Sequence, residues 1–269
     1  MFLHIRHETR YRYEQPVQYS IQALRLTPRP EGRIRLHEWS ISAPGRRRAQ
    51  TDAYGNLSHV LTLDEPHDEI RILAEGWVET DDRWGPYIPD EGRLPVIAYL
   101  QETALTRADD ALKALGRGFM AGRENFEEAM QQLMEVIASR VAYFPGKTSV
   151  ECSAVDVWRQ STGVCQDHAH VMIAACRSSG IPARYVSGYL YTGDSGHAAS
   201  HAWAEVWDGG QWLSCDTTHH RFTDSAYCRL AVGRDYLDAC PVRGVRRGGW
   251  GEIMQATVWV DQSQYFSQQ

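Results

Sequence analysis

One stretch, Gly163 to Asp216, restricts the possible folds of this chain more than any other. Ala169, Met172, Ile173 and Cys176 recur at three- and four-residue steps, the period of a helix. Gly180-Ile181-Pro182 stops that helix, with a glycine C-cap and a proline just beyond it. Ala183 to Tyr191 reads as a strand. From His201 to Trp207 large residues (His201, Trp203, Glu205, Trp207) alternate with small ones (Ala202, Ala204, Val206), the period of a second strand. Asp208-Gly209-Gly210 then supplies a turn, and Gln211 to Asp216 the returning strand of a hairpin. Upstream, Ser153 with Asp156 opens a short helix through Trp158 in the manner of a capping box, and Phe126, Met130, Leu133, Ile137 and Val141 form an apolar helical stripe. Helices first and an antiparallel sheet afterwards imply an α+β layout, completed by a late strand over Glu252 to Val260.

That layout brings a thiol, an imidazole and a carboxylate into one region. A free thiol has a pKa of about 8.5, so it is a poor nucleophile at neutral pH until something activates it. Cys165 falls in the first turn of its helix, where unpaired N–H groups favour an anion. The helix end contributes at most about 2 kcal/mol, roughly 1.5 pKa units. Activated cysteines reach pKa values of about 3–4, so a neighbouring imidazolium must supply most of the shift. His201 is the candidate base. Asp216, at the end of the hairpin partner, is positioned to accept from one ring nitrogen and leave the other for the thiol. The backbone N–H of Cys165 is the first candidate donor to an oxyanion.

These residues bring a family into view. The chain resembles the bacterial transglutaminase-like proteins, a branch of the papain-like cysteine enzyme superfamily. The resemblance runs through Tyr143-Phe144-Pro145-Gly146-Lys147-Thr148, Gly163-Val164-Cys165-Gln166-Asp167-His168-Ala169-His170, Gly180 to Tyr189 and His201-Ala202-Trp203. It continues at Gly233-Arg234-Asp235-Tyr236 and Pro241-Val242-Arg243-Gly244. It implies a nucleophile, base and orienter at Cys165, His201 and Asp216. It also implies an oxyanion role for an upstream aromatic, Tyr143; analogy with papain-like enzymes suggests Gln160 instead. The family's run around the aspartate is usually Phe-Asp-Pro-like, whereas here it is Cys215-Asp216-Thr217.

Other readings of the same residues predict different geometry. His168, one turn along the helix from Cys165, is the rival base, and Asp167 is expected to cap or pair locally. Cys152, Cys176, Cys215, Cys228 and Cys240 read as inert core or loop thiols. Eleven histidines raise the question of a metal, with His197, His201, His219 and His220 close in sequence. Four extended residues span about 13 Å, so His197 and His201 could share an ion only if the segment between them folded back. No metal and no cofactor are expected.

The first hundred residues have another character. Short alternating stretches at Ile34 to Ile41, Ser58 to Leu63 and Ile70 to Val78 are separated by turn signals such as Ala43-Pro44-Gly45 and Tyr54-Gly55-Asn56. They predict an antiparallel β-sandwich over residues 1–100. The run from Trp84 through Pro95 reads as a linker, and helical pattern begins near Thr103. The resemblance implies a papain-like transglutaminase core over residues 101–269, with its C-terminal strand and a polar tail after Asp261. Gly193-Asp194-Ser195-Gly196, just before His201, is expected to form a cleft rim.

Charge and hydropathy narrow the function. A formal net charge of −6 removes the electrostatic footprint of a nucleic-acid binder. Arg46-Arg47-Arg48 and Arg243 to Arg247 are short enough to read as solvated loops. The first residues lack the apolar core of a signal peptide, and no apolar run is long enough to span a bilayer. A cytoplasmic location with reduced thiols is expected, with no membrane partner. The expected activity is attack on a peptide or amide carbonyl by Cys165 to form a thioester. Water then makes a protease or amidase and an amine makes a transglutaminase. Hydrolysis is favoured, since it needs only water and no calcium loop of spaced acids is visible. A non-catalytic peptide-binding module on the same fold is the alternative from a different class.

Overall fold

The computed structural model describes residues 1–30, 33–83, 85–90, 92–120, 125–193 and 200–262. Five strands come first: β1 (Phe2–Leu24), β2 (Ile34–Ser42), β3 (Arg46–Thr51), β4 (Leu57–Leu63) and β5 (His67–Thr80). A short β6 (Tyr87–Ile88) and a 3-10 turn (Val96–Leu100) lead to helices α1 (Asp110–Met120) and α2 (Phe126–Arg140). Next come β7 (Ala142–Tyr143), α3 (Ala154–Gln160), β8 (Thr162–Gly163) and α4 (Cys165–Ser178). Strands β9 (Ala183–Leu190), β10 (Ser200–Trp207), β11 (Trp212–Asp216), β12 (Arg221–Phe222) and β13 (Tyr227–Gly233) follow. The chain closes with α5 (Tyr236–Ala239), β14 (Val242–Gly248) and β15 (Ile253–Gln262). The molecule is α+β, and its two large sheets are antiparallel throughout.

The first sheet is organised around β1. Its first half, with Leu3, Ile5, His7 and Thr9 turned inward, pairs with β5 on one side and β15 on the other. Pro16 has no N–H to give a ladder, and the β1–β5 register shifts between Arg12 and Val17. Beyond that break the second half of β1 pairs with β4 and β14. Inward residues of both halves, including Ile5, Leu24, Leu61 and Ile72, share one core. The outer face carries a ladder of charges, in which Glu8 pairs with Arg10 and Arg71, and Glu69 with Arg12.

Two arginine runs expected to be loops are strands instead. Arg46-Arg47-Arg48 begins β3, an exposed edge strand on which charge discourages pairing with another molecule. Arg243 to Arg247 lies in β14, paired with β1. Neither run alternates in burial, so neither carries the period-two signal from which a strand is read. Strands β14 and β15 follow the helices in sequence but hydrogen-bond to β1 of the N-terminal sheet. The expected linker also joins a sheet, since Tyr87 and Ile88 pair with β11. Helical structure begins at Asp110, after a turn at Thr103–Thr106, rather than near Thr103. The polar tail beyond Gln262 lies outside the described residues.

The second sheet runs β12-β11-β10-β9-β13. Every residue of β9 is buried, which explains its lack of alternation. Along one face of β9, Ala183 and Tyr185 pack under the helices, whereas Tyr189 joins the core of the first sheet. The cover changes at Ser187, and a cleft opens there. Helix α4 ends as expected: Gly180 is left-handed at φ 78°, and Ile181 N–H returns to the Cys176 carbonyl. The Ser153–Asp156 capping box of α3 is also present.

Candidate active site

Cys165 is the first residue of α4, half-buried and facing the cleft. Its position depends on the residues around it. Asp167, at the third helical position, accepts from the Val164 N–H at 2.8 Å and from Thr148 Oγ1 at 2.7 Å. A Cβ on Gly163 would lie 2.7 Å from the Asp167 Cβ, so this closure needs glycine at 163. Asp167 is therefore a local cap, and burial raises its pKa. Asp167 N–H and His168 N–H return to the Val164 carbonyl at 2.9 and 3.0 Å, whereas the amides of Cys165 and Gln166 come before any acceptor that the helix itself can offer.

His201 is the second residue of β10 and is 8% exposed. Strands β10 and β11 place Ala204 opposite Cys215, so Asp216 stands on the same face as His201, displaced diagonally by two residues. His201 Nε2 meets Asp216 Oδ2 at 2.7 Å. With Nε2 on Asp216, Nδ1 is the ring nitrogen left for Cys165, which lines the same cleft as His201. Burial works to lower the His201 pKa, but the bonds from Asp216 and Cys165 overcome it and raise the value to about 9.

Asp216 is fully buried, and its two oxygens accept five hydrogen bonds. Oδ2 receives His201 Nε2, His219 Nδ1 at 2.7 Å and the Tyr227 hydroxyl at 2.6 Å. Oδ1 receives the backbone N–H groups of Thr218 at 3.0 Å and His219 at 3.3 Å. Burial opposes ionisation, yet the His201 and His219 bonds hold the carboxyl well below the usual range. Tyr227 is itself held by Arg221 Nε at 2.9 Å, with the guanidinium over its ring. His219 and Tyr227 were not legible as partners of Asp216. His219 carried only a possible metal-binding signal, and Tyr227 reaches the site from β13 with no local motif.

The remaining candidates separate by geometry. His168 Nε2 donates to the Val141 carbonyl at 2.8 Å and Nδ1 meets Thr218 Oγ1 at 3.0 Å, so neither ring nitrogen is left for the thiol. Burial lowers its pKa, which keeps the ring neutral. Tyr143 lines the cleft beside Cys165, placed there by the parallel bridge that sets it opposite Gly163. Gln160 ends α3 on the surface and donates to the Thr162 carbonyl at 3.1 Å; it is not among the described residues lining the cleft. Burial pushes the thiols of Cys176 and Cys228 up to about 12 and raises those of Cys215 and Cys240, which suits inert roles.

The metal question turns on one triplet. His201, Asp216 and His219 offer ligand atoms within 4.8 Å of one another. Both imidazoles meet the same carboxylate oxygen at 2.7 Å, a hydrogen-bond distance. Two tetrahedral ligands each ~2 Å from zinc stand about 3.3 Å apart, so this packing suits shared protons rather than an ion. His220 is exposed and left-handed at φ 54°. His197 and the rim residues Asp194–Gly196 lie outside the described residues.

Comparison with known proteins places this geometry in a family. The bacterial transglutaminase-like N-terminal region matches residues 3–79, and the transglutaminase-like superfamily core matches residues 113–217, which include Cys165, His201 and Asp216. An uncharacterized protein of Mycobacterium leprae is 33% identical over 262 residues, covering 90% of this chain and 92% of that one. The chain belongs to the bacterial transglutaminase-like proteins. A relative from Mycobacterium tuberculosis is 31% identical over 270 residues, covering 90% of this chain and 86% of its own. The fold is that of a solved "putative cysteine protease" from Cytophaga hutchinsonii. That structure superposes with a TM-score of 0.77 at 23% identity, over 99% of this chain and 92% of the other. Among the described residues no helix is long and apolar enough to cross a membrane.

Proposed function

We propose that this protein is a thiol-dependent acyl-transfer enzyme that cleaves a peptide or amide bond through a thioester on Cys165. The observation that carries the reading is that Cys165 and His201 line one cleft while His201 Nε2 meets the buried Asp216 at 2.7 Å. His201 holds the proton of the thiol as an imidazolium beside the thiolate, and Asp216 fixes the ring so that one nitrogen faces the sulfur. The sulfur attacks the carbonyl carbon, and the oxyanion is met by the Cys165 N–H and the Tyr143 side chain. As the C–N bond breaks, His201 returns the proton to the leaving amine. The thioester is then attacked by water, with His201 acting as base again.

Hydrolysis is the favoured outcome because it needs no second binding site. A cytoplasmic setting fits six cysteines that are all free. The substrate is a peptide, protein or small amide, and no nucleic-acid role is proposed.

The test is intact-mass detection of an acyl-enzyme on the whole chain, offered a library of peptides and amides. Wild type should gain the acyl mass and lose it to water, while Cys165→Ala gains nothing and keeps its melting temperature. Retention of a tenth of wild-type cleavage by Cys165→Ala would end the thioester reading. Transfer of the acyl group to an added labelled primary amine in preference to water would make the enzyme a transglutaminase. Reversible peptide binding with no adduct would make it a binding module.

A further inference from the structure

The cleft that holds Cys165 and His201 has a volume of about 320 Å³, at the small end for ligand sites. Only part of its wall belongs to the transglutaminase core. Tyr185 of β9 and Tyr236 of α5 line the cleft, their rings 6.3 Å apart and edge to face. Tyr11 of β1, Val242 of β14 and Met254 of β15 line it too, all from the N-terminal sheet and the strands that join it. No Asp, Glu, Lys or Arg is among the described residues that line it.

Ser187, His7 and Thr9 of this wall are already engaged. Ser187 donates to the Ala239 carbonyl at 2.6 Å. His7 bonds the Tyr189 hydroxyl at 2.9 Å and Thr9 Oγ1 at 3.1 Å, and burial drops its pKa to about 4, so it is neutral. A charged side chain entering beside Tyr11, Val242 and Met254 would lose its water and meet no Asp, Glu, Lys or Arg among the described lining residues, whereas an apolar or aromatic one would have apolar contacts to make.

We propose that Tyr11, Val242 and Met254, together with Tyr185 and Tyr236, form a specificity pocket for an uncharged apolar or aromatic side chain on the acyl donor. The N-terminal sheet is thus part of the substrate site and not only a scaffold. The inference rests on the acyl-transfer reading for the word donor, but the pocket itself is tested by binding.

The experiment titrates four N-acetyl amino-acid amides, those of phenylalanine, leucine, glutamate and lysine, into the full-length Cys165→Ala protein by ligand-observed NMR. The phenylalanine and leucine amides should bind at least about tenfold more tightly than the glutamate and lysine amides. Met254 is 55% exposed, so Met254→Lys should fold normally. In the same background it should weaken the phenylalanine amide about tenfold and tighten the glutamate amide. Val242→Lys should act in the same direction. Tighter binding of a charged amide, no detectable binding of any of the four, or unchanged selectivity in both lysine variants would overturn the pocket. Separately, wild type is mixed with N-acetyl-phenylalanine p-nitrophenyl ester and watched for a burst of nitrophenol. Binding that follows the expected order without a burst supports the pocket and counts against the thioester. A burst without selective binding does the reverse.

Discussion

His201 is the residue on which the site's electrostatics converge. Held between Asp216 and Cys165, it keeps its proton to about pH 9 although it is buried. Replacing Asp216 by Asn retains the shape but allows the wrong imidazole tautomer, and turnover should fall by up to ~10⁴-fold. Asp167→Asn, which changes the acceptor for the Val164 N–H and the Thr148 hydroxyl, should cost less than tenfold in turnover; steady-state kinetics on both variants decides between the two carboxylates. The same pair shapes stability. His201 is raised above its unfolded value near 6.5, so its contribution is complete below that pH and lost as pH rises through about 9. Asp216 is depressed, so its contribution is present above about 3.9 and lost as pH falls toward its folded value. Between pH 6 and pH 10 wild type should lose up to about 3 kcal/mol through His201. Asp216→Asn should lose much less, as read from urea midpoints. Equal alkaline losses in the two proteins would show that Asp216 does not raise His201. Cys165, His201 and Asp216 were legible from residue type and local period. The further donors to Asp216 were not, because Tyr227 is brought there by strand pairing.

At the scale of elements, the start of α4 determines where the thiol points. Gly163 lies beside Asp167, and its strand β8 bridges β7 so that Tyr143 stands opposite it. Gly163→Ala would drive a methyl into the Asp167 carboxyl and weaken the cap. The expected cost is about 1–2 kcal/mol of stability, with a clear fall in Cys165 alkylation rate. A variant with wild-type melting temperature and unchanged alkylation would show that the cap does not position the nucleophile. Helix α4 was readable almost to its ends because its stop is a local backbone matter, a left-handed glycine followed by proline. Strand β3 was not, since all six of its residues are exposed and only its pairing with β4 makes it a strand. Gln160 misled for a related reason: distance along the chain from Cys165 said nothing of the direction in which the end of α3 faces.

At the scale of the molecule, the chain returns to its beginning. Strands β14 and β15 cover the two halves of β1, and Tyr189, Cys228 and Leu230 of the second sheet complete the core of the first. A fragment of residues 1–100 would leave both halves of β1 unpaired on one side and expose that core. It should be unfolded or aggregated by circular dichroism and sedimentation, while the whole chain melts in a single transition. A fragment that folds with a cooperative transition of its own would make the N-terminal sheet an independent domain.

What the sequence determined by itself was local and chemical. Period, caps and turn residues set out the order of helix, strand and hairpin, and the types of three side chains pointed to a nucleophile, a base and an orienting acid. Those signals depend on neighbours within a few residues, which the chain carries in its own order. The tertiary structure alone decided which residues cover the cleft, which donors surround Asp216, and that the last strands close the first sheet. Those outcomes rest on contacts between residues separated by as much as 182 to 259 positions, from His7 to Tyr189 and from Leu3 to Gln262. No local period records such a pairing; it is selected by the burial and backbone hydrogen bonds that the closed sheet provides.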